Sequence, residues 1–390
     1  MKRIYLTIIG LCSVFCSYGQ SSVEAVLDEI SRNNPELKAA EAGLDMERLD
    51  NRSETLLENP EIEFNYLWGA DNIGGRHDVR ISQAFDIPTL TGMKSVKAAC
   101  LDELSALKYD AARLEVMQEA RRLCVGLVYY NKLISEFEYH LESSSTLVES
   151  YGKRLAAGDA TILDLNKAKL HMASVKGRIN EAGNERQALL SRLKSLNGGQ
   201  DIGFDDKEYD LSEALPVDFE SWFEEASRES PVLGYVRKEV ELGRRQLAID
   251  RTSMLPELSL GYMSEIRTAE KFRGMTVGVN IPLWSGANKV KRSRAGVAAA
   301  ESRQNAAELG FYYRLMDLYR QAASMKANYE MLRDSIEETD NRDFLLSALT
   351  KGEISMIDYL VENDLYYDAL ERTLDAEREY RTSLAALKVF

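Results

Sequence analysis

The chain is poor in the residues that cross-link, bind metals and punctuate. Its 390 residues include seven prolines, four cysteines, three histidines and three tryptophans. Cys12 and Cys16 fall in an N-terminal leader, which leaves Cys100 and Cys124. On one helix, their 24-residue separation corresponds to roughly 36 Å, too far for a disulfide. A disulfide-stapled scaffold is therefore excluded, and both cysteines read as small buried apolar residues. His77, His140 and His171 have no Cys or His partners at metal-ligand spacing. There is no glycine-rich phosphate loop and no Gly-x-Ser-x-Gly nucleophile motif, so the sequence gives enzyme chemistry little footing. Past the leader no run of 18 apolar residues occurs, which excludes a transmembrane helix. A membrane could still be met through β-strands, whose hydropathy signal is weak.

The leader itself is short. Lys2 and Arg3 precede an apolar stretch from Ile4 to Phe15, and Ser17-Tyr18-Gly19 follows. This pattern predicts a secretory signal peptide over 1–19, cleaved after Gly19. The residues before Cys12 and Cys16 are Leu11 and Phe15, neither small as lipid attachment requires. Loss of Lys2 and Arg3 takes the formal net charge from −14 to −16. An exported chain this acidic is a poor nucleic-acid binder.

The few prolines come in pairs. Pro35 and Pro231 are 196 positions apart, as are Pro60 and Pro256, while Pro88 and Pro282 are 194 apart. Gly92 with Gly286 and Gly158 with Gly352 keep the second offset. Paired punctuation implies paired architecture, with a two-residue indel between the second and third proline pairs. The predicted organisation is a first repeat over 20–197, a linker over 198–225 and a second repeat over 226–390.

Each repeat reads alike. Asn34-Pro35 and Ser230-Pro231 are helix starts, with a capping residue before proline. The next proline opens a segment of period two. Ile62, Phe64, Tyr66 and Trp68 alternate with Glu61, Glu63 and Asn65; Leu258, Leu260 and Tyr262 alternate with Glu257, Ser259 and Gly261. A turn-rich stretch (69–76, or 266–274) leads to a second alternating strand. The predicted hairpins cover 60–88 and 256–282. Each strand, about 9 to 11 residues, has the length a tilted strand needs to cross a bilayer. Pro88 and Pro282 end the hairpins, and Gly92 and Gly286 open long helical hairpins over 92–196 and 286–388. In the first, apolar residues at 96, 100, 104, 107, 114, 117, 124, 127 and 134 form a helical stripe. In the second, Gly296 and Gly310 are expected to interrupt the helix. Both long helices end in a glycine, Gly158 or Gly352. Thr161 with Asp164, or Ser355 with Asp358, then forms a capping box for the returning helix.

Four amphipathic strands cannot close a membrane barrel, so the pattern requires an oligomer. Two copies would supply eight strands and three would supply twelve. Periodicity does not choose between them.

Asn34-Pro35-Glu36-Leu37, Leu255-Pro256-Glu257-Leu258-Ser259-Leu260, Val279 to Gly286 and the two glycine-to-aspartate turns, duplicated and in order, add a further indication. The chain resembles the outer-membrane efflux proteins, the TolC-like outer-membrane factors, over nearly all of its length past the leader. The resemblance implies a mainly α fold with membrane β. Long antiparallel helices would form a periplasmic α-barrel, and four strands per chain would contribute to a trimeric twelve-stranded β-barrel. It also implies a passive exit duct in the outer membrane of a Gram-negative bacterium, extending into the periplasm. The partners would be a periplasmic adaptor (membrane fusion) protein and an inner-membrane pump of RND type. Alternatives are the outer-membrane component of type I protein secretion and a periplasmic coiled-coil scaffold without a pore. No catalytic residue, cofactor or metal is implied, and the cargo is not identified.

The same resemblance assigns residues. Leu155, Gly158, Thr161, Leu349, Gly352 and Ser355 would form the periplasmic tip that meets the adaptor. Asp164 and Asp358 would form an acidic ring at the tunnel constriction, beside their capping role. Where some relatives carry a second aspartate three residues on, this chain has Lys167 and Val361, so a double carboxylate ring is not expected. Tyr66, Trp68, Tyr262 and Trp284 would form the aromatic girdle of the barrel, with a soluble strand core as the other reading.

Overall fold

The structure, a computed structural model, describes residues 23–69, 74–86, 88–210, 214–267, 270–282, 284, 286 and 288–388. The expected signal peptide (1–19), Asp71-Asn72 of the first turn, and Leu283 and Ser285 lie outside the described residues.

The order of elements repeats. The first half runs α1 (Val23–Asn33), α2 (Pro35–Ser53), β1 (Glu61–Leu67), β2 (Arg76–Phe85), α3 (Pro88–Ala157) and α4 (Ile162–Leu196). The second runs α5 (Phe219–Glu229), α6 (Pro231–Thr252), β3 (Glu257–Arg267), β4 (Glu270–Asn280), α7 (Lys289–Thr339), α8 (Arg342–Lys351) and α9 (Met356–Ala386). Pro35 and Pro231 occupy the first helical turn behind the caps Asn34 and Ser230, whose side chains accept the Leu37 and Leu233 N–H groups. Proline costs nothing there, because the first N–H groups of a helix have no intrahelical acceptor.

Four features differ from the sequence reading. First, α1 and α5 were not expected, and α5 begins inside the segment read as a linker over 198–225. They lie at the 196-residue offset, and each buries a small apolar face: Val26, Leu27 and Ile30 in α1, Phe219 and Ala226 in α5. Second, α3 starts at Pro88 rather than Gly92, so Pro88 opens a helix instead of merely closing a hairpin. Third, α7 runs unbroken through Gly296 and Gly310, and the interruption falls at Asp340-Asn341. Asp340 Oδ1 accepts the Arg342 backbone N–H at 3.4 Å, and the Arg342 guanidinium bonds back to both Asp340 oxygens at 3.0 and 2.8 Å. Such local side-chain bonds compete with the helical ladder. Fourth, β1 has seven residues, fewer than the 9 to 11 expected, whereas β2 has ten and β3 and β4 have eleven each.

The strands form one antiparallel sheet in the order β1-β2-β3-β4. β2 pairs with β3 across the two halves, with Ile81 opposite Tyr262, so the duplicated units share one sheet. β1 and β4 are open edges.

The helices form a layer below the sheet. The 70-residue α3 is about 105 Å long at 1.5 Å per residue. Its first part packs on α2 and α6, with Lys108 to Glu47 at 2.7 Å and Lys238 to Glu103 at 2.5 Å. Its later part packs on α4 and α9. α7 packs on α6 and then on α9, where Tyr329 stacks on Tyr380. Apolar burial is distributed along this layer. One cluster joins α1, α2, α3 and α4 around Ile30, Cys124, Leu127 and Phe204. Another joins α5 and α7 around Phe219, Leu315 and Ala322. A third lies between α3, α4 and α9 around Phe137 and Tyr367. The last holds the two glycine turns together. Cys100 and Cys124 are free and buried. Among the described residues no helix is long and apolar enough to cross a membrane.

Candidate functional site

The sheet has two faces of opposite character, and the register assigns every residue to one of them. Ile62, Phe64 and Tyr66 lie opposite Ile81, Val79 and His77, which lie opposite Tyr262, Ser264 and Ile266. With Leu258, Leu260, Met275, Val277 and Val279 this makes a face that is apolar up to its outer end, where Arg273 and Lys271 lie opposite Ser264 and Ile266. No other part of the described chain covers it. Phe64 is 65% exposed, Val277 70% and Met275 91%. The opposite face is polar and internally bonded. Arg80 bonds Glu63 at 3.1 Å, Arg76 bonds Glu265 at 3.0 Å, and Asn65 donates to Asp78 at 3.2 Å. A bare apolar surface beside a polar face with paired charges is inverted relative to a water-soluble sheet.

The expected aromatic girdle falls at three levels. Tyr66 and Trp68 sit at the end of the sheet farthest from the helices, with ring centroids 5.6 Å apart, and Tyr66 also stacks on His77. Trp284 follows β4 by four residues on the helical side and is 86% exposed. Tyr262 is the sixth residue of eleven in β3, at mid-height rather than at a rim.

The two glycine turns lie at the far end of the helical layer and pack against each other. Gly158 (φ 84°) and Gly352 (φ 76°) close α3 and α8 in the left-handed conformation that only glycine adopts freely. The next residue in each case reaches back into the helix, Asp159 N to Arg154 O and Glu353 N to Ala348 O. This double closure satisfies carbonyls that the helix end leaves open. Both capping boxes are present. Thr161 Oγ1 accepts the Asp164 N–H at 3.2 Å, and Asp164 Oδ2 accepts the Thr161 N–H at 3.2 Å. Ser355 and Asp358 repeat the arrangement. The Thr161 hydroxyl and N–H hold the Asp164 carboxyl below its ordinary range. Asp164 is also 3.9 Å from Lys167.

Among the tip residues named from the sequence, Gly158, Thr161, Gly352 and Ser355 are exposed. Leu155 is half-buried, and Leu349 is buried in the cluster with Tyr151, Leu165 and Met356. Leu349 therefore holds the turns together rather than offering a surface. A groove of ≈ 660 Å³ beside it is lined by Leu147, Tyr151, Arg154, Leu346 and Lys351.

One cluster escaped the sequence reading. His140 and His171 had looked isolated, yet their rings are 5.0 Å apart. His140 is buried, stacks on Tyr367 at 3.8 Å and accepts from the Asn363 amide at 2.7 Å. Burial holds its pKa at about 3, with His171 and then Arg178 adding to the effect. His171 bonds Ser144 at 3.2 Å and Asp364 at 3.1 Å. The signal was the antiparallel register. About the Gly158 turn, Gly126 meets Leu189 and Ser144 meets His171, two pairs with the same sum of positions. Among the described residues no group of three or more His, Cys, Asp or Glu side chains could hold a metal ion.

No family model matches the sequence, and no curated protein matches it. Solved structures do. The Campylobacter jejuni CmeC outer membrane channel is 15% identical, with a TM-score of 0.72 over 94% of this chain and 84% of that one. The outer membrane protein VceC of Vibrio cholerae is 13% identical, with a TM-score of 0.68 over 94% of each chain. The chain has the fold of the TolC-like outer-membrane factors. The Neisseria gonorrhoeae MtrE outer membrane channel, crystallised in its open state, is 14% identical and matches with a TM-score of 0.69 over 94% of this chain and 87% of that one. In this TolC-like fold, the helical layer, the four-stranded sheet and the paired glycine turns belong to one chain.

Proposed function

We propose that the protein is the outer-membrane channel of a tripartite efflux system: a passive, non-enzymatic exit duct fed by an inner-membrane pump through a periplasmic adaptor. The bare apolar face of the sheet carries this reading. An open four-stranded sheet with that face in water is a poor end state, because it exposes both a greasy surface and two unpaired edges. Three copies joined β4 to β1 give twelve strands without edges, the apolar face toward lipid and the polar face toward a lumen. The eleven-residue strands, tilted, span about 25 Å of membrane. The same closure lets α7 of one copy meet α2 and α4 of the next, which continues the helices as a tunnel into the periplasm.

In this arrangement the exposed residues Gly158, Thr161, Gly352 and Ser355 face the adaptor, and the groove between α3 and α8 receives it. Asp164 and Asp358 sit at the constriction. The pump is assigned to the RND type by the resemblance alone. Fractionation tests the reading. Recovery in the outer membrane as an SDS-resistant, heat-dissociable oligomer supports the duct. Recovery as a soluble periplasmic protein overturns it and favours a scaffold without a pore.

A further inference from the structure

The polar face of the sheet is not uniform along its length. Nearest the helices it carries Glu257 and Asn280, then Ala84, Ser259 and Gly278 at one level, then Glu61, Ser82, Gly261 and Thr276 at the next. Apart from Glu61, Glu257 and Asn280, these side chains are small or absent. Farther out the residues become large and charged. Glu63, Arg80 and Met263 share a level, then Asn65, Asp78 and Glu265, then Arg76 and Arg267. The large groups are tied to one another. Arg80 holds Glu63 on one side and lies 3.7 Å from Met263 Sδ on the other. Arg76 bonds Glu265 and lies 4.0 Å from Asp78, which is 6% exposed. Phe272, on β4 beside Glu265, is 53% exposed on the same face.

We infer that this outer part of the polar face is a second constriction, a charge-lined exit filter centred on Arg80, Glu63, Arg76 and Glu265. The inference rests on the duct reading, which turns the polar face toward the lumen. Long side chains fixed by cross-strand ion pairs narrow a barrel whose inner levels are lined mainly by glycine, serine, alanine and threonine. At these outer levels the carboxylates of Glu63, Asp78, Glu265 and Glu270 stand against the guanidiniums of Arg76, Arg80 and Arg267. The excess is acidic, and fixed acidic charge in a pore favours cations over anions. The exit therefore passes small cationic solutes ahead of anionic ones, with Arg80 setting both the width and the local sign.

Ser82 lies one level inside Arg80 on the same face, while its neighbour Ile81 lies on the apolar face. Ser82→Cys and Ile81→Cys are labelled in intact cells with membrane-impermeant methanethiosulfonates bearing trimethylammonium or sulfonate. The native thiols give no background, because Cys100 and Cys124 are buried and burial pushes the Cys124 pKa to about 12. Asn166→Cys, exposed at the helical tip, reports arrival from the other side. The expected result is slow labelling of Ser82→Cys, faster with the cation than with the anion. Adding Arg80→Ser raises the rate by about tenfold for the cation, the low end of electrostatic focusing in clefts, and less for the anion. Should Arg80→Ser block assembly, Glu63→Gln reads the same filter with the opposite sign. Rates independent of Arg80 and Glu63 for both reagents overturn the filter but leave the duct intact. Labelling of Ile81→Cys as fast as Ser82→Cys overturns the face assignment and the duct with it.

Discussion

The side-chain Nδ2 of Asn34 donates to the backbone carbonyl of Leu196 at 2.9 Å, while its Oδ1 accepts the Leu37 N–H at 2.9 Å. One buried amide thus caps the start of α2 and the end of α4. It stacks the two helices end to end along α3. A 35-residue helix and a 19-residue helix can then accompany one of 70 residues without a gap in the wall.

Asn34→Ala removes the cap and strands a buried carbonyl. The expected loss is about 2 kcal/mol, combining a lost N-cap with an unsatisfied acceptor. Asn34→Ser keeps the cap and loses only the donor, so it should fall between the parent and the alanine variant. Thermal unfolding of the purified protein followed by circular dichroism ranks the three.

His140 gives the helical layer an acid-sensitive joint. It is held by Asn363 and Tyr367 of α9, lies against His171 of α4, and shares that environment with Ser144, Arg178 and Asp364. Its folded-state pKa of about 3 lies below the ordinary value of 6.5. The unfolded chain therefore binds the proton more readily, and acid favours unfolding. The contribution is fully present above pH 6.5 and is lost as pH falls toward 3. Between pH 6.5 and 5 the loss is about 2 kcal/mol. His140→Gln should flatten this limb of the stability profile. An unchanged pH slope in the variant would assign the acid sensitivity to other groups.

Period two and period 3.6 are strong signals over long segments, which is why both hairpins and most of the long helix α3, from Gly92 onward, are legible in the sequence. The capping boxes were equally legible, because Thr161 with Asp164 and Ser355 with Asp358 are local patterns. What escaped was decided by contacts distant in sequence. α1 and α5 are eleven residues each, too short to hold a helix without the surface that α3 and α7 offer. The break at Asp340 depends on Arg342, which also reaches Glu136 at 3.2 Å on α3 and lies over the Tyr366 ring. The burial of Leu349 and the meeting of His140 with His171 follow from how the two helical hairpins close, which no single helix encodes.

The capping aspartates allow charge and geometry to be separated. Asparagine at N3 keeps an oxygen that can accept the N–H of Thr161 or Ser355, so Asp164→Asn combined with Asp358→Asn should preserve both capping boxes and cost no more than about 1 kcal/mol at each helix start. It removes two carboxylates per chain from the tip. If these line the constriction, the cation preference of single channels in planar bilayers falls. Unchanged conductance and selectivity would leave capping as their only role.

Met275 and Thr276 are neighbours on β4 that lie on opposite faces of the sheet. Met275 is level with Tyr262 and Ile81 at mid-height, and Thr276 is level with Gly261 and Ser82. In the proposed barrel, where Thr276 faces the lumen, a lysine at position 275 faces lipid and must sit in hydrocarbon or distort the bilayer around it. Met275→Lys should therefore destabilise the oligomer by about 2–4 kcal/mol, the cost found for lysine at a bilayer midplane. Thr276→Lys places the same charge one residue away in a water-filled lumen, opposite an excess of carboxylates, and should be tolerated. Heat dissociation of the SDS-resistant oligomer separates the two variants. A soluble sheet predicts the reverse order, because Met275 would then be the solvent-exposed position, 91% open to water, where lysine is harmless.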